Sequence, residues 1–156
     1  MGSPGGRIPW FDKNGNLPPG VYHVTLEDIE KRFTWNAKRL SLFRSLKRAL
    51  ANFAAAGVRR VWIDGSFVTT KPEPKDVDGC WDYDPAVVDM RKIDPVLRGS
   101  PYGQGAMKRK YGIDFFIAGT RLVDRVAHEL PVEEFFQRID GGDRKGILVV
   151  EIGEPR

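Results

Sequence analysis

The chain has 156 residues, of which 41% are hydrophobic and 29% charged, proportions of a folded globular protein rather than a disordered one. That length suits one compact domain with a sizeable core, and no apolar run approaches the ~18 residues of a membrane span. A single cysteine, Cys80, excludes an internal disulfide framework and any multi-cysteine zinc site. Residues 1–7 lack the apolar core of a secretory signal, so a cytoplasmic location without a membrane partner is expected.

Residues 1–20 hold five glycines and four prolines, with turn signals at Asn14-Gly15 and Pro18-Pro19-Gly20, and read as an extended N-terminal arm. The remainder, 21–156, reads as one domain. Thr25 offers an N-cap, with Asp28 three residues on, for a short helix to Phe33. The longest periodic segment spans residues 36–56. Leu40, Phe43, Leu46, Leu50, Phe53 and Ala54 form its apolar stripe, with Lys38, Ser41, Arg44, Arg48 and Asn52 opposite. Gly57 stands where a left-handed C-terminal cap belongs.

Residues 58–63 read as a strand rich in β-branched side chains. Pro72 and Pro74 then forbid a regular central strand before a second strand over 76–83. Its odd-numbered residues Val77, Trp81 and Tyr83 are expected to face the core. Gly79-Cys80 predicts a loosened or bulged strand, and Asp84-Pro85 a capped helix to Lys92. Residues 94–105 read as a surface loop, and 106–111 as a short basic helix. A third strand covers 113–118. Thr120 and Pro131 bracket an expected helix over 121–130, residues 133–137 are ambiguous between helix and strand, and 146–152 read as a last strand.

The net charge is +4 and the pI about 9.3. Basic residues cluster at Lys38-Arg39, Arg44, Lys47-Arg48, Arg59-Arg60 and Lys108-Arg109-Lys110. Such a surface favours polyanions such as nucleic acid. Charge runs of this kind are commonly solvated helix faces, and the excess is too small to establish nucleic-acid binding.

The most informative stretch is the strand ending in Asp64-Gly65-Ser66, followed by Asp76-Val77-Asp78. Alternate strand residues share a face, so Asp76 and Asp78 point the same way about 6–7 Å apart along the backbone. Asp114 lies near the start of an otherwise apolar strand, where a carboxylate needs a partner or a metal. If these strands share a sheet, three carboxylates can hold two Mg²⁺ ions ~3.5–4 Å apart, an arrangement suited to in-line displacement at phosphorus. The Gly-Ser turn offers N–H groups and a hydroxyl to phosphate oxygens.

Gly65-Ser66, then Asp76-x-Asp78, then a lone Asp114 on a later strand resembles the minimal members of the polymerase-β-like nucleotidyltransferase superfamily. The resemblance covers residues 36–118 and implies an α/β (α+β) nucleotidyltransferase-like fold, a mixed central sheet flanked by helices. It implies that Gly65 and Ser66 bind the triphosphate, that Asp76 and Asp78 hold Mg²⁺, and that Asp114 serves as a further ligand or general base. Asn16-Leu17-Pro18-Pro19-Gly20, residues 71–81, Phe135-Phe136-Gln137 and Lys145-Gly146-Ile147 resemble a narrower family of uncharacterised bacterial proteins within that superfamily. Related minimal enzymes often act in toxin–antitoxin pairs, which makes a cognate antitoxin a candidate partner.

The expected activity is transfer of a nucleoside monophosphate from an NTP to a hydroxyl on protein, RNA or a small molecule. The alternative is a catalytically inactive nucleotide-binding or protein-interaction module with the same fold. In a plainly structural reading Asp76 caps a turn and Asp114 pairs with a nearby Arg or Lys. Ser66 lacks a matching His and acid for nucleophilic work, since His23 and His128 sit in unrelated segments. Cys80 reads as buried and inert, His128 as a surface or packing residue, and Asp82 and Asp84 as strand-end and cap residues. Trp62 and Trp81 read as core, Trp10 and Trp35 as anchors for the arm, and Tyr102 as a candidate for stacking on a base.

Overall fold

The computed structural model describes residues 8–98, 103–123, 129–131, 134, 137 and 144–153. In chain order the elements are β1 (Val21–Val24), α1 (Leu26–Phe33), α2 (Ala37–Ala55), β2 (Arg60–Asp64), β3 (Val77–Trp81), α3 (Gly103–Tyr111), β4 (Ile113–Ile117), β5 (Arg121–Val123), β6 (Glu129–Pro131) and β7 (Ile147–Glu151). Five strands form a mixed sheet in the order β1-β7-β2-β3-β4, and β5 pairs with β6. Among the described residues no helix is long and apolar enough to cross a membrane.

Helix boundaries follow local chemistry. Thr25 and Asp28 exchange side-chain and backbone hydrogen bonds in a reciprocal capping box at the start of α1. Asn36 caps α2 by accepting the Arg39 N–H. At the other end Gly57, at φ +104°, donates to the Ala54 carbonyl and Val58 donates to that of Phe53, the paired bonds of a Schellman stop. The buried stripe of α2 runs Arg39, Leu42, Phe43, Leu46, Ala49, Leu50 and Phe53. Leu40 and Ala54 are only half-buried. The stripe thus takes in Arg39, Leu42 and Ala49 in place of Leu40 and Ala54.

Sheet register sets the two faces. Val61, Ile63, Val77, Trp81, Ile113, Phe115, Leu148 and Val150 join the core with α2, where the Phe53 ring lies 5.0 Å from Trp81 and 6.2 Å from Phe115. Strand alternation puts Asp64, Asp78 and Asp114 on the other face. The expected loosening at Gly79 does not occur: Gly79 is in regular register with both Ile63 and Phe115. A side chain there would meet the Trp62 carbonyl and the Phe115 ring, so the missing Cβ makes room for a core aromatic.

Several expected elements differ. Residues 84–92 make no α-helix. Asp84 caps one turn, whose bonds run from Val87 and Val88 to the Asp84 carbonyl, and the Asp89 N–H then bonds the Ala56 carbonyl at the end of α2. That tertiary bond ends the spiral, and only a short 3₁₀ turn, Met90–Lys92, follows. Tyr83 lies beyond the end of β3, exposed, with its ring 5.8 Å from Trp81. The loop expected over 94–105 holds a 3₁₀ turn, Pro95–Arg98, that buries Leu97, and α3 already begins at Gly103.

The helix expected over 121–130 is absent at both ends, which pair as antiparallel β5 and β6 with Leu122 opposite Leu130. Thr120 does not cap forward. Its N–H and hydroxyl both return to the Ile117 carbonyl, beside Gly119 at φ +89°, so the chain reverses. Pro131 ends a strand. Glu134 and Gln137 share one turn bond, while Tyr102, His128, Phe135 and Phe136 lie outside the described residues, as does the start of the arm.

The described part of the arm is packed down. Ile8 and Leu17 are buried in the core, the Gly15 carbonyl accepts the Thr70 N–H, and the Leu17 carbonyl accepts the Gly146 N–H. Trp10 and Trp35 remain about half exposed. Each is packed against a guanidinium on one side, Trp10 by Arg32 at 5.1 Å and Trp35 by Arg39 at 3.7 Å.

Arg39 is the least expected core residue. It is 0% exposed, and its nitrogens donate to the carbonyls of Phe33, Ser66, Phe67, Thr69 and Lys71. Burial lowers its pKa to about 10, which leaves it charged at neutral pH. The planar fork thus binds residues 66–71 to the first turn of α2, helped by Asn36, whose amide donates to the Pro72 carbonyl. Arg39→Met should cost ~3 kcal/mol or more, because these carbonyls lose charged donors. Arg39→Lys should restore little, since a compact ammonium cannot span them. Urea unfolding decides: a loss under ~1 kcal/mol for Arg39→Met would contradict the anchoring role.

Candidate metal centre

The strand directions bring the acidic motifs to one end of the sheet. Strand β2 ends at Asp64, and its antiparallel partner β3 begins there, with Asp64 opposite Asp78. Parallel pairing then puts Asp114 of β4 beside Asp78. Asp76, two residues before Asp78, projects from the same face. Carboxylate oxygens of Asp76, Asp78 and Asp114 lie within 4.8 Å of one another. The three acids picked out in the sequence therefore meet in space.

Gly65 opens one 3₁₀ turn, Gly65–Val68, at φ +77°. Any Cβ on it would run into the Asp78 carboxylate, so both backbone conformation and the closeness of Asp78 require glycine. Ser66 is half-buried beside it, and its carbonyl is gripped by Thr69 and Arg39. The turn is held from behind, through its carbonyls, which leaves its geometry set by α2 rather than by local sequence.

Two lysines also enter the site. Lys108 of α3 puts its ammonium 3.0 Å from Asp76 and 4.0 Å from Asp114. Helix α3 is itself fastened by Lys110 and Tyr111, which both donate to Asp94. Lys145, just before β7, lies 3.6 Å from Asp64. It arrives because β7 runs antiparallel to β2 and so starts where β2 ends. Asp64 is 1% exposed, and neither oxygen has a hydrogen-bond partner.

These surroundings shift the acids. Burial pushes Asp64 up to about 7, opposed by the charge of Lys145 and the Gly65 N–H. Burial, then the neighbouring charges of Asp76 and Asp114, push Asp78 up to about 7. The bond to Asp76 holds the Lys108 ammonium above the ordinary lysine value. Sequence reasoning missed Asp64, Lys108, Lys145 and Arg39 as parts of this site. Lys108 carried a weak signal, a basic helix directly before the Asp114 strand. Lys145 carried none without the strand order.

Elsewhere, a cleft of ≈ 570 Å³ lies at the opposite end of the sheet, between α2 and the ends of β1 and β7, lined by Leu26, Leu50, Ala54 and Val149 among others. Its lining holds no comparable group of acids. Cys80 is buried, as expected.

The chain is thus a mixed α/β protein whose five-stranded sheet carries, at one end, three acidic residues that could hold a metal ion. It belongs to the family of unknown function DUF6932, which matches residues 9–151. No curated protein and no solved structure matches it.

Two outcomes follow from the site's electrostatics and packing. Asp64 and Asp78 have folded pKa values above the ordinary carboxylate value near 4. Their protonated forms stabilise the fold fully below about pH 4, and that contribution is lost as pH rises through about 7. In chelator, the melting temperature should fall by roughly 5–10 °C between pH 5 and pH 8, and Asp64→Asn should flatten the slope. A flat profile for the parent protein would refute the shifts. Gly65→Ala should cost about 1–2 kcal/mol from its left-handed backbone alone and displace Asp78. Its unfolding midpoint should drop, and any stabilisation by added divalent cation should disappear. A midpoint equal to that of the parent would show that Asp78 does not press on this position.

Proposed function

We propose that the protein is a Mg²⁺-dependent nucleotidyltransferase with a nucleotidyltransferase-like fold, which moves a nucleoside monophosphate from an NTP to a hydroxyl acceptor. The observation that carries this reading is the convergence of Asp76, Asp78 and Asp114 next to a glycine turn that admits no side chain. Hard carboxylate oxygens suit Mg²⁺, whose ligands sit at about 2.0–2.1 Å, so two oxygens on one ion are at most ~4.2 Å apart. A spread of 4.8 Å comes within side-chain rotation of that geometry. The residues fit the ion, with Asp76, Asp78 and Asp114 as its holders. When bound, the ion supplies neutralisation of phosphate charge and a lowered pKa for the attacking hydroxyl.

The chain's own groups account for the rest. Gly65 lets a phosphate approach the backbone closely, and Ser66 offers a hydroxyl at the same turn. Asp114 would accept the acceptor's proton or serve as a ligand. The acceptor oxygen bonds to the α-phosphorus, the bond to the bridging oxygen breaks, and pyrophosphate leaves with the electron pair. A net charge of +4 favours an anionic acceptor such as RNA. A cognate antitoxin and a cytoplasmic setting accord with this reading, and no part of the chemistry depends on them.

One observation favours a second reading. The Lys108 ammonium already balances Asp76 and Asp114, as a permanent internal cation would in a catalytically silent nucleotide-binding or interaction module. Calorimetry with Mg²⁺ and each NTP separates the two, together with an assay for pyrophosphate release. The enzyme reading expects Mg²⁺-dependent NTP binding that weakens at least tenfold (about 1.4 kcal/mol) in Asp76→Asn/Asp78→Asn, and pyrophosphate release with some acceptor. Absence of Mg²⁺-dependent NTP binding by the parent protein would sink it. Binding without release across RNA, protein and small-molecule acceptors supports the module.

A further inference from the structure

Asp64 is the one acid at this site to which the proposed reaction assigns no task. A buried carboxylate with no hydrogen bond is costly, and an apolar residue at the end of β2 would avoid the cost. It stands directly opposite Asp78, so it shares the sheet face of the metal-holding acids. The charge brought to it is Lys145, whose side chain is 18% exposed and whose ammonium is 3.6 Å away. At that distance the contact is a loose ion pair.

The backbone around Lys145 is pinned. Its N–H bonds the Gln137 carbonyl, and the next N–H, of Gly146, bonds that of Leu17. A side chain on Gly146 would collide with the Pro18 carbonyl and the Tyr22 ring, so the segment is held close against the arm. Lys145 therefore reaches the acids from the β7 side, while Lys108 reaches them from α3. A nucleoside triphosphate brings strong negative charge to a site already lined with carboxylates, so its phosphates need a cationic partner besides the metal. A buried ion pair gives little net stability over an apolar pair of the same size, so neutralising Asp64 is a poor reason for the lysine to be there.

We infer that Lys145 binds the phosphates of a nucleoside triphosphate, and that buried Asp64 is a positioning residue which keeps its ammonium beside the Gly65-Ser66 turn. This rests on the nucleotidyltransferase reading and adds to it a phosphate ligand from outside the acidic motifs. Lysine serves as a mobile point charge for phosphate, and a 3.6 Å ion pair lets it swing from carboxylate to substrate.

The test uses the charge-neutral pair Asp64→Asn/Lys145→Met, so that no unpaired buried charge remains. Mn²⁺ alone and then Mg²⁺ with ATP, GTP, CTP or UTP are titrated into the parent protein and the variant. The expected result is Mn²⁺ affinity within threefold of the parent and NTP affinity at least tenfold weaker. Equal NTP affinity in the variant overturns the inference alone, because Lys145 would then be only the counter-ion of Asp64. No NTP binding by the parent overturns the nucleotidyltransferase reading and this inference with it. Should the variant not fold, amine labelling of the parent protein decides. Mg²⁺ with NTP should protect Lys145 from reductive methylation where Mg²⁺ alone does not, and labelling unchanged by NTP refutes the contact.

Discussion

Asp64, Asp78 and Asp114 occupy one register row across three adjacent strands. Like charges directly opposite one another oppose sheet formation, and this sheet end also lacks full hydration. The fold meets that constraint with three devices. Lys145 approaches one end of the row, Lys108 the other, and Asp64 and Asp78 are driven towards their neutral forms. The two lysines come from different parts of the chain, so the segment before β7 and helix α3 are tied to the same electrostatic problem.

Arg39 solves a second problem. The segment between β2 and β3 carries Gly65-Ser66 and must present it beside Asp78, yet two prolines keep the segment from forming a ladder. Its carbonyls would otherwise be buried without donors. One guanidinium supplies them, and because Arg39 sits on α2 the turn inherits the rigidity of the longest helix in the described residues. The arm adds a further tie through Thr70 and Gly15. Positional precision at the site thus comes from groups remote in sequence.

Legibility followed the range of the forces involved. The capping box at Thr25, the Asn36 start and Gly57 stop of α2, and strands β2, β3, β4 and β7 depend on neighbours a few residues away, and their residues announced them. The helix expected over 121–130 failed because Thr120 and Gly119 turn the chain back and β5 finds a partner in β6. Asp84-Pro85 began a turn as expected, but the Asp89 N–H found a carbonyl on α2. Arg39 resembled a solvated basic residue because its five acceptors lie on other segments. Gly79 resembled a defect because the Phe115 ring that fills its space arrives from another strand.

The sequence by itself determined the types and limits of the principal helices and strands, the shared face of Asp76 and Asp78, and the need for a partner at Asp114. Those follow from period, capping and the cost of burying charge, all properties of short stretches. Strand order and direction belong to the tertiary structure. They decided that Asp114 lies beside Asp78, that Asp64 joins the row, and that Lys108 and Lys145 close on it from opposite sides. Parallel pairing of β3 with β4 and antiparallel pairing of β2 with β7 set those distances, through contacts between residues tens of positions apart that no local pattern encodes.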